Sequence, residues 1–348
     1  MKNGSLVNLQ YLRAIAALMV VWFHARNQAD WLKLQFPSDF GEGGVDLFFV
    51  ISGFIMVYTT HGKDISPQQF FIRRLQRIVP LYWVATVGVV CVALVAPTLL
   101  RSTVVSWPHV ISSLLFFPML SPAFPDKYWP LIIPGWTLNY EMMFYLIFSI
   151  SLILKGSQRL IALFIALGCL VGFGYMNSWV GLLGFYSNSI MLIFLLGAMF
   201  GYLYINGVVR LDSLMAWAVV LMAIMLFIFL RFHPVGGRVV DAGIPAAILV
   251  AGFCMLPTLF ENHLKWLSRL GDASYSIYLS HVFTLVFFRT VSSKLGFVVD
   301  SNSFGWMYMI ANLGAAAICG LLVYYFVERP LSNMSFRLAN SLKLSQKF

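Results

Sequence analysis

Two residues able to do chemistry stand inside the first membrane-length apolar stretch, "YLRAIAALMVVWFHAR" at 11–26: Arg13 and His24. Eleven helical residues turn about 1100° and rise about 16.5 Å, so both side chains project from nearly the same helix face. Ionisable groups in a span normally face a bundle interior or a wet cavity. A neutral imidazole there can serve as a general base, and a guanidinium can hold an anion. The plain alternative is that Arg13 snorkels to the interface and His24 caps the helix end.

Two carboxylates add to this pair. "GGVDLFFVISGF" carries Asp46, and "GWTLNYEMMFY" carries Glu141 five residues after Trp136. Each lies near the start of an apolar run, at the membrane level expected for His24. A histidine with carboxylates at its own depth suits a general base and its orienting partner; structural pairing of Asp46 and Glu141 with arginines is the alternative. A third cluster, "FFIRRLQRIVP", holds Arg73, Arg74 and Arg77. Spacings of three and four put them on one broad helix face, with Phe70, Phe71, Leu75 and Ile78 expected to rest on lipid. Such a face could clamp a phosphate-bearing ligand, or simply supply topogenic charge.

The elements that must position these groups are membrane helices. Of 348 residues, 60% are hydrophobic and only 10% charged, against about 25% charged in a soluble domain, and the mean hydropathy is +0.83. An all-α polytopic membrane protein is expected, as one membrane domain over 1–348 with ten spans: 9–27, 44–61, 78–99, 136–154, 159–176, 186–206, 213–231, 239–258, 273–292 and 304–327. The short run 109–120 sits in a loop, 100–135, that holds Pro108, Pro118, Pro122, Pro125, Pro130 and Pro134; a re-entrant or interfacial segment is expected there. Lys2 ahead of an apolar run imitates a signal peptide, but Arg13 interrupts it, so a retained first helix is expected. No internal repeat is evident.

Ten spans put both termini on one side. Apart from Arg13, fourteen lysines and arginines fall on segments sharing the N-terminal side and eight on the other, so cytoplasmic termini are expected. On that reading the net charge of +10 reflects cytoplasmic loops, and no basic and aromatic module points to nucleic acid. Cys91, Cys169, Cys254 and Cys319 stand in apolar segments without CxxC spacing; they read as core residues, with no metal site or disulfide framework.

Six motifs in order resemble the membrane acyltransferase-3 family, which O-acylates sugars of bacterial surface and secreted polysaccharides. They are the basic residue and histidine at Arg13 and His24, "VDLFFVISGF" (45–54), "FFIRRLQRIVPLYW" (70–83), "GWTLNYEMMFY" (135–145), "SYSIYLSH" (274–281) and "YYFVERPL" (324–331). The opening "LQYLRAIAA" is most similar to the exopolysaccharide O-acetyltransferase branch. Gln10 and Tyr11 stand where other members carry acidic or glycine residues, so their acceptors do not transfer. The chain ends at Phe348, soon after the last span, and the chemistry is expected from the membrane part.

The resemblance implies a multi-pass protein of the inner (cytoplasmic) membrane, acetyl-CoA as donor and a sugar hydroxyl as acceptor. Arg73, Arg74 and Arg77 would meet the phosphates of CoA, Arg13 would hold the pantetheine arm, and the thioester would reach His24. His24 would deprotonate the hydroxyl, Glu141 would orient His24 or hold the acceptor, and Asp46 would support the same site. An acetyl-His24 intermediate is the competing route. His281 is expected to be mainly structural and to line the donor channel. Glu328 is expected to pair with Arg329 or an inner arginine. Two other functions fit the same residues: a transporter using the intramembrane charges, and a succinyl or longer-acyl transferase.

Overall fold

The structure, a computed structural model, describes residues 4–28, 30–35, 37, 41–100, 103–257, 264–296 and 302–335. Five residues of the charge count, Lys2, Arg101, Arg337, Lys343 and Lys347, and the end of the 239–258 span lie outside the described residues.

Among the described residues the chain is helical, with one isolated bridge, Ser121 to Phe124, and no named strand. The helices are α1 (Gly4–Arg26), α2 (Asp30–Gln35), α3 (Gly43–Thr60), α4 (Pro67–Val95), α5 (Trp107–Leu114), α6 (Trp136–Ser151), α7 (Gly156–Met176), α8 (Gly181–Tyr186), α9 (Ile190–Ile205), α10 (Ser213–Phe232), α11 (Ile244–Met255), α12 (Lys265–Asp272), α13 (Ser274–Lys294) and α14 (Asn302–Val323). Each expected span overlaps one of them. Among the described residues, seven helices are long and apolar enough to cross a bilayer, and Val239–Met255 is a shorter apolar helix. At 16 residues, α6 falls short of that length. This is a polytopic membrane bundle.

Burial follows the membrane environment. On α7 and α10 the large apolar side chains point outward, with Phe164 64% and Met225 64% exposed, because lipid and not a protein core receives them. The interior collects α3, α9, α1 and α6 around Phe49, Phe54, Phe144 and Phe194. Gly53 and Gly197 make the α3–α9 contact: a Cβ on Gly53 would meet the Phe194 carbonyl, and one on Gly197 the Val50 carbonyl. Small residues at such points let membrane helices approach closely.

Three local features depart from or add to the sequence reading. First, the arginine cluster does not precede the third span; it forms the first turns of one continuous 29-residue helix, α4, capped by Ser66, whose Oγ accepts from the Gln69 amide. Phe70, expected on lipid, is 3% exposed and packs on Phe148 at 5.1 Å. Second, the 109–120 run is an 8-residue helix, α5, and a turn. Ser113 Oγ accepts from the Leu131 amide at 2.9 Å, and Trp83 Nε1 donates to the Leu114 carbonyl at 2.8 Å. The loop thus folds against α4. Third, the eighth and tenth spans each include a π-helical turn, Val239–Gly243 and Tyr324–Glu328, a feature often found at functional sites.

Candidate active site

α1 and α13 pack side by side, and their pairings show that they run in the same direction. Arg13 and Ser274 line one cleft, while further along both helices the His24 and His281 rings meet, with centroids 4.9 Å apart. Two spans of the same parity run this way in an alternating bundle.

The cleft lies between α1, α3, α4, α6 and α13. Arg13, Arg74, Arg77, Glu141, Ser274 and Tyr278 are among its lining residues. It also touches α3 from Val45 to Met56, about 16.5 Å of helix. Its cavity volume is about 100 Å³, room for about three waters at about 30 Å³ each. The cleft is thus small in volume yet touches about three turns of α3.

At its arginine end, the sequence pattern on α4 sorts the cluster. Arg74 and Arg77 line the cleft, whereas Arg73 is exposed, one 100° helical step away from Arg74. The Arg74 guanidinium lies over Phe70 at 5.2 Å and Tyr145 at 5.9 Å, held in place by cation–π attraction. Its Nε is buried with no hydrogen-bond partner among the described residues, a state that normally signals a missing acceptor. Arg13 donates to Gln10 Oε1 at 2.9 Å. Glu328 accepts from Ser276 at 2.5 Å and faces Arg77 and Arg13 electrostatically, which places it at this end. Asp272, just outside the ninth span, has its pKa raised by burial, an effect opposed by Arg13 and Arg77.

Glu141 stands midway. Ser52 donates to its Oε1 at 3.2 Å, and the Tyr145 hydroxyl, one turn on along α6, donates to the same oxygen. Glu141 thus shares a wall with Arg74; no hydrogen bond joins it to His24 among the described residues. Thr137 and Tyr278 close the far end, their hydroxyls 2.7 Å apart, with Tyr278 also donating to the Pro134 carbonyl at 2.7 Å.

One helical turn beyond Tyr278 lies the histidine pair. His24 is half-buried, and its Nδ1 is 2.9 Å from the Val20 carbonyl. His281 is fully buried, with Nδ1 2.6 Å from the Tyr278 carbonyl. A carbonyl only accepts, so each Nδ1 carries the hydrogen and each Nε2 presents a lone pair. The His281 Nε2 has no hydrogen-bond partner among the described residues.

Asp46 is placed elsewhere. It is 0% exposed; Arg238 Nε donates to its Oδ1 at 2.8 Å, and Arg231 approaches Oδ2 at 3.7 Å. Arg238 also donates to Glu42 at 2.6 Å and lies over Trp136 at 5.7 Å. Burial alone would lower the Arg238 pKa, but Asp46 and Glu42 outweigh it and hold it above the ordinary value. Of the two readings of Asp46, the geometry realises pairing with arginines. Arg238 and Glu42, which the sequence reading did not single out, complete this separate ion-pair cluster with Asp46, and Glu42 also faces His24 electrostatically. The "GEGGVD" run placed Glu42 four residues from Asp46, a helix-face spacing that could have pointed to it. Among the described residues no group of three or more His, Cys, Asp or Glu side chains could hold a metal ion.

Known proteins share this sequence. A family model described as an acyltransferase domain, acyltransferase-3, matches residues 6–325. The "Exopolysaccharide production protein ExoZ" of Rhizobium meliloti is 34% identical over 304 residues, covering 84% of this chain and 89% of that one. The "Putative peptidoglycan O-acetyltransferase YrhL" of Bacillus subtilis is 25% identical over 94% of this chain, and a "Putative O-acetyltransferase" of Staphylococcus aureus strain COL is 24% identical over 95%. The chain spans only 55% and 58% of those two. No solved structure matches. A helical membrane bundle carrying a basic cleft beside a histidine, matched over nearly its whole length by one family, belongs to the acyltransferase-3 family of membrane acyltransferases.

Proposed function

We propose that the protein is an inner-membrane O-acetyltransferase that moves an acetyl group from cytoplasmic acetyl-CoA to a sugar hydroxyl of an exopolysaccharide or lipid-linked glycan. The observation that carries this reading is the cleft with Arg13, Arg74 and Arg77 at one end and the His24–His281 pair one turn beyond the other. Both substrates of an acyl transfer find a matching group along that line. The buried, unpartnered Nε of Arg74 suits a phosphate oxygen. The half-length similarity to proteins named for O-acetyl transfer, and the fuller one to a protein named for exopolysaccharide production, support the acyl group and the acceptor class.

In this reading Arg74 and Arg77 hold the phosphates of CoA, with exposed Arg73 adding long-range attraction. Arg13 steadies the pantetheine arm, and His281 helps to bound the channel where the thioester arrives. His24 takes the proton of the acceptor hydroxyl as its oxygen attacks the thioester carbonyl. Glu141, fixed by Ser52 and Tyr145, tethers the polar wall past which the donor threads. Asp46 acts through Arg238, bracing the outer ends of the helices around the histidines. Cytoplasmic termini place the arginines inside and His24 toward the outer face; the parallel course of α1 and α13 supports a count of ten alternating spans.

Sealed vesicles of known orientation test this, with acetyl-CoA confined to the cytoplasmic face and the acceptor sugar to the other. Transfer is expected in that arrangement. Transfer only when both substrates share the cytoplasmic side would place the acceptor site inside. A succinylated product by mass spectrometry would replace the donor, and uptake of sugar without acylation would favour a transporter.

A further inference from the structure

We infer that His281 is the proton-holding partner of His24, so that two imidazoles, and not an imidazole and a carboxylate, form the base of the proposed transfer. The inference deepens that reading and rests on it for the reaction, but its geometry stands alone.

Both rings are fixed in the same tautomer by their own helices. His24 Nδ1 bonds the Val20 carbonyl at 2.9 Å and His281 Nδ1 the Tyr278 carbonyl at 2.6 Å. Each ring therefore turns an unprotonated Nε2 away from its helix backbone. The centroids are 4.9 Å apart and the planes are tilted by 50°. His24 is half-buried and can meet a substrate; His281 stands behind it at 0% exposure, with its Nε2 lacking a partner among the described residues. With the rings in contact, two neutral imidazoles of this tautomer offer each other no donor at Nε2. Once one nitrogen is protonated, it becomes a donor and the other the acceptor it lacks.

The carboxylates that could do this work are engaged elsewhere. Glu42 faces His24 electrostatically but takes a hydrogen bond from Arg238 at 2.6 Å. Asp46 is held by the same Arg238, and Glu141 by Ser52 and Tyr145. From α13 itself, Tyr278 spends its hydroxyl on Thr137 and Pro134. Among the described residues, His281 is the group in contact with the His24 ring that keeps an unpartnered acceptor.

The step balances without another reagent. The acceptor O–H bond breaks as its oxygen bonds the thioester carbonyl carbon, and the proton passes to His24 Nε2. That N–H then turns its charge toward His281 Nε2 while the tetrahedral centre exists. When the C–S bond breaks, the departing thiolate takes the proton back as a thiol.

Two substitutions separate this role from packing. His281→Asn keeps an amide where Nδ1 bonds Tyr278 but removes the Nε2 acceptor; His281→Gln can place an amide oxygen near the Nε2 position. At saturating substrates, kcat of His281→Asn should fall about 10- to 100-fold, the range of a hydrogen bond to a charged group, with both KM values and the melting temperature unchanged. His281→Gln should recover part of it. An unchanged kcat in His281→Asn, a rise confined to the acetyl-CoA KM, or a loss that tracks the melting temperature in both variants would each overturn the inference. A readout free of catalysis is nitrogen NMR of histidine-labelled protein. On acidification the two Nε2 resonances should move together, as they share one proton; independent movement overturns the pairing even if the protein transfers no acetyl group.

Discussion

Arg238 Nε lies 2.8 Å from Asp46 Oδ1, joining the start of the eighth apolar segment to the first turn of α3 across 192 residues of chain. Asp46 has no exposure, and removing one member of a buried ion pair leaves the other charge uncompensated. Arg238→Ala should therefore lower stability by about 3–5 kcal/mol, read as a melting shift in detergent. Asp46→Asn should cost less, because an amide still accepts from the guanidinium. Replacing Asp46 and Arg238 together by apolar residues should restore much of the loss; equal damage in the double variant would mean that the pair is not the source.

In the proposed reaction His24 supplies chemistry and not packing. His24→Ala in purified, folded protein should lower the transfer rate by about 10²–10⁴-fold, with acetyl-CoA binding retained. Near-normal turnover would remove His24 from the reaction.

The arginines of α4 should divide by the face they occupy. Arg74→Ala and Arg77→Ala should raise the KM for acetyl-CoA by about 10- to 100-fold, the loss of a charge-assisted hydrogen bond. Arg73→Ala, on the exposed face, should change it by less than about 5-fold, the scale of a surface charge contact, with a salt dependence. Titration of the three variants with donor at fixed acceptor decides it; a matching rise in all three would mean that the cluster acts as diffuse charge.

Gly53 and Gly197 allow α3 and α9 to touch through their backbones. Gly53→Leu should destabilise by at least about 1–3 kcal/mol, the cost of overpacking, and shift the helix that carries Ser52. Expression and thermal unfolding give the stability. Full stability would mean that the helices separate freely.

The distance over which a relationship acts decides what could be read from the sequence. Arg13 and His24 share one helix, so their common face follows from the 3.6-residue period alone. The apolar spans are equally local, which is why each expected segment meets a helix. The same period correctly grouped Arg74 with Arg77 but did not separate Arg73, because exposure depends on which neighbours pack against α4. Phe70 looked lipid-facing for the same reason: its partners Tyr145 and Phe148 are remote in sequence. The engagement of Asp46 by Arg238, of Glu141 by Ser52, and of His24 by His281 are all products of helix packing. Composition marked such residues as costly to bury but could not say which would meet.

The continuous course of α4 carries a mechanical consequence. Its 29 residues make a rod about 43 Å long, against roughly 30 Å of hydrocarbon. Arg74 and Arg77 ride on its first half, with Pro80 a few residues after them. A thinner bilayer would increase the lean of such a rod and a thicker one would right it. Either motion would shift Arg74 and Arg77 together relative to Arg13 on α1, since both sit on this one helix. Lipid chain length would then tune how tightly the cleft grips its ligand, with no change in any residue that lines it.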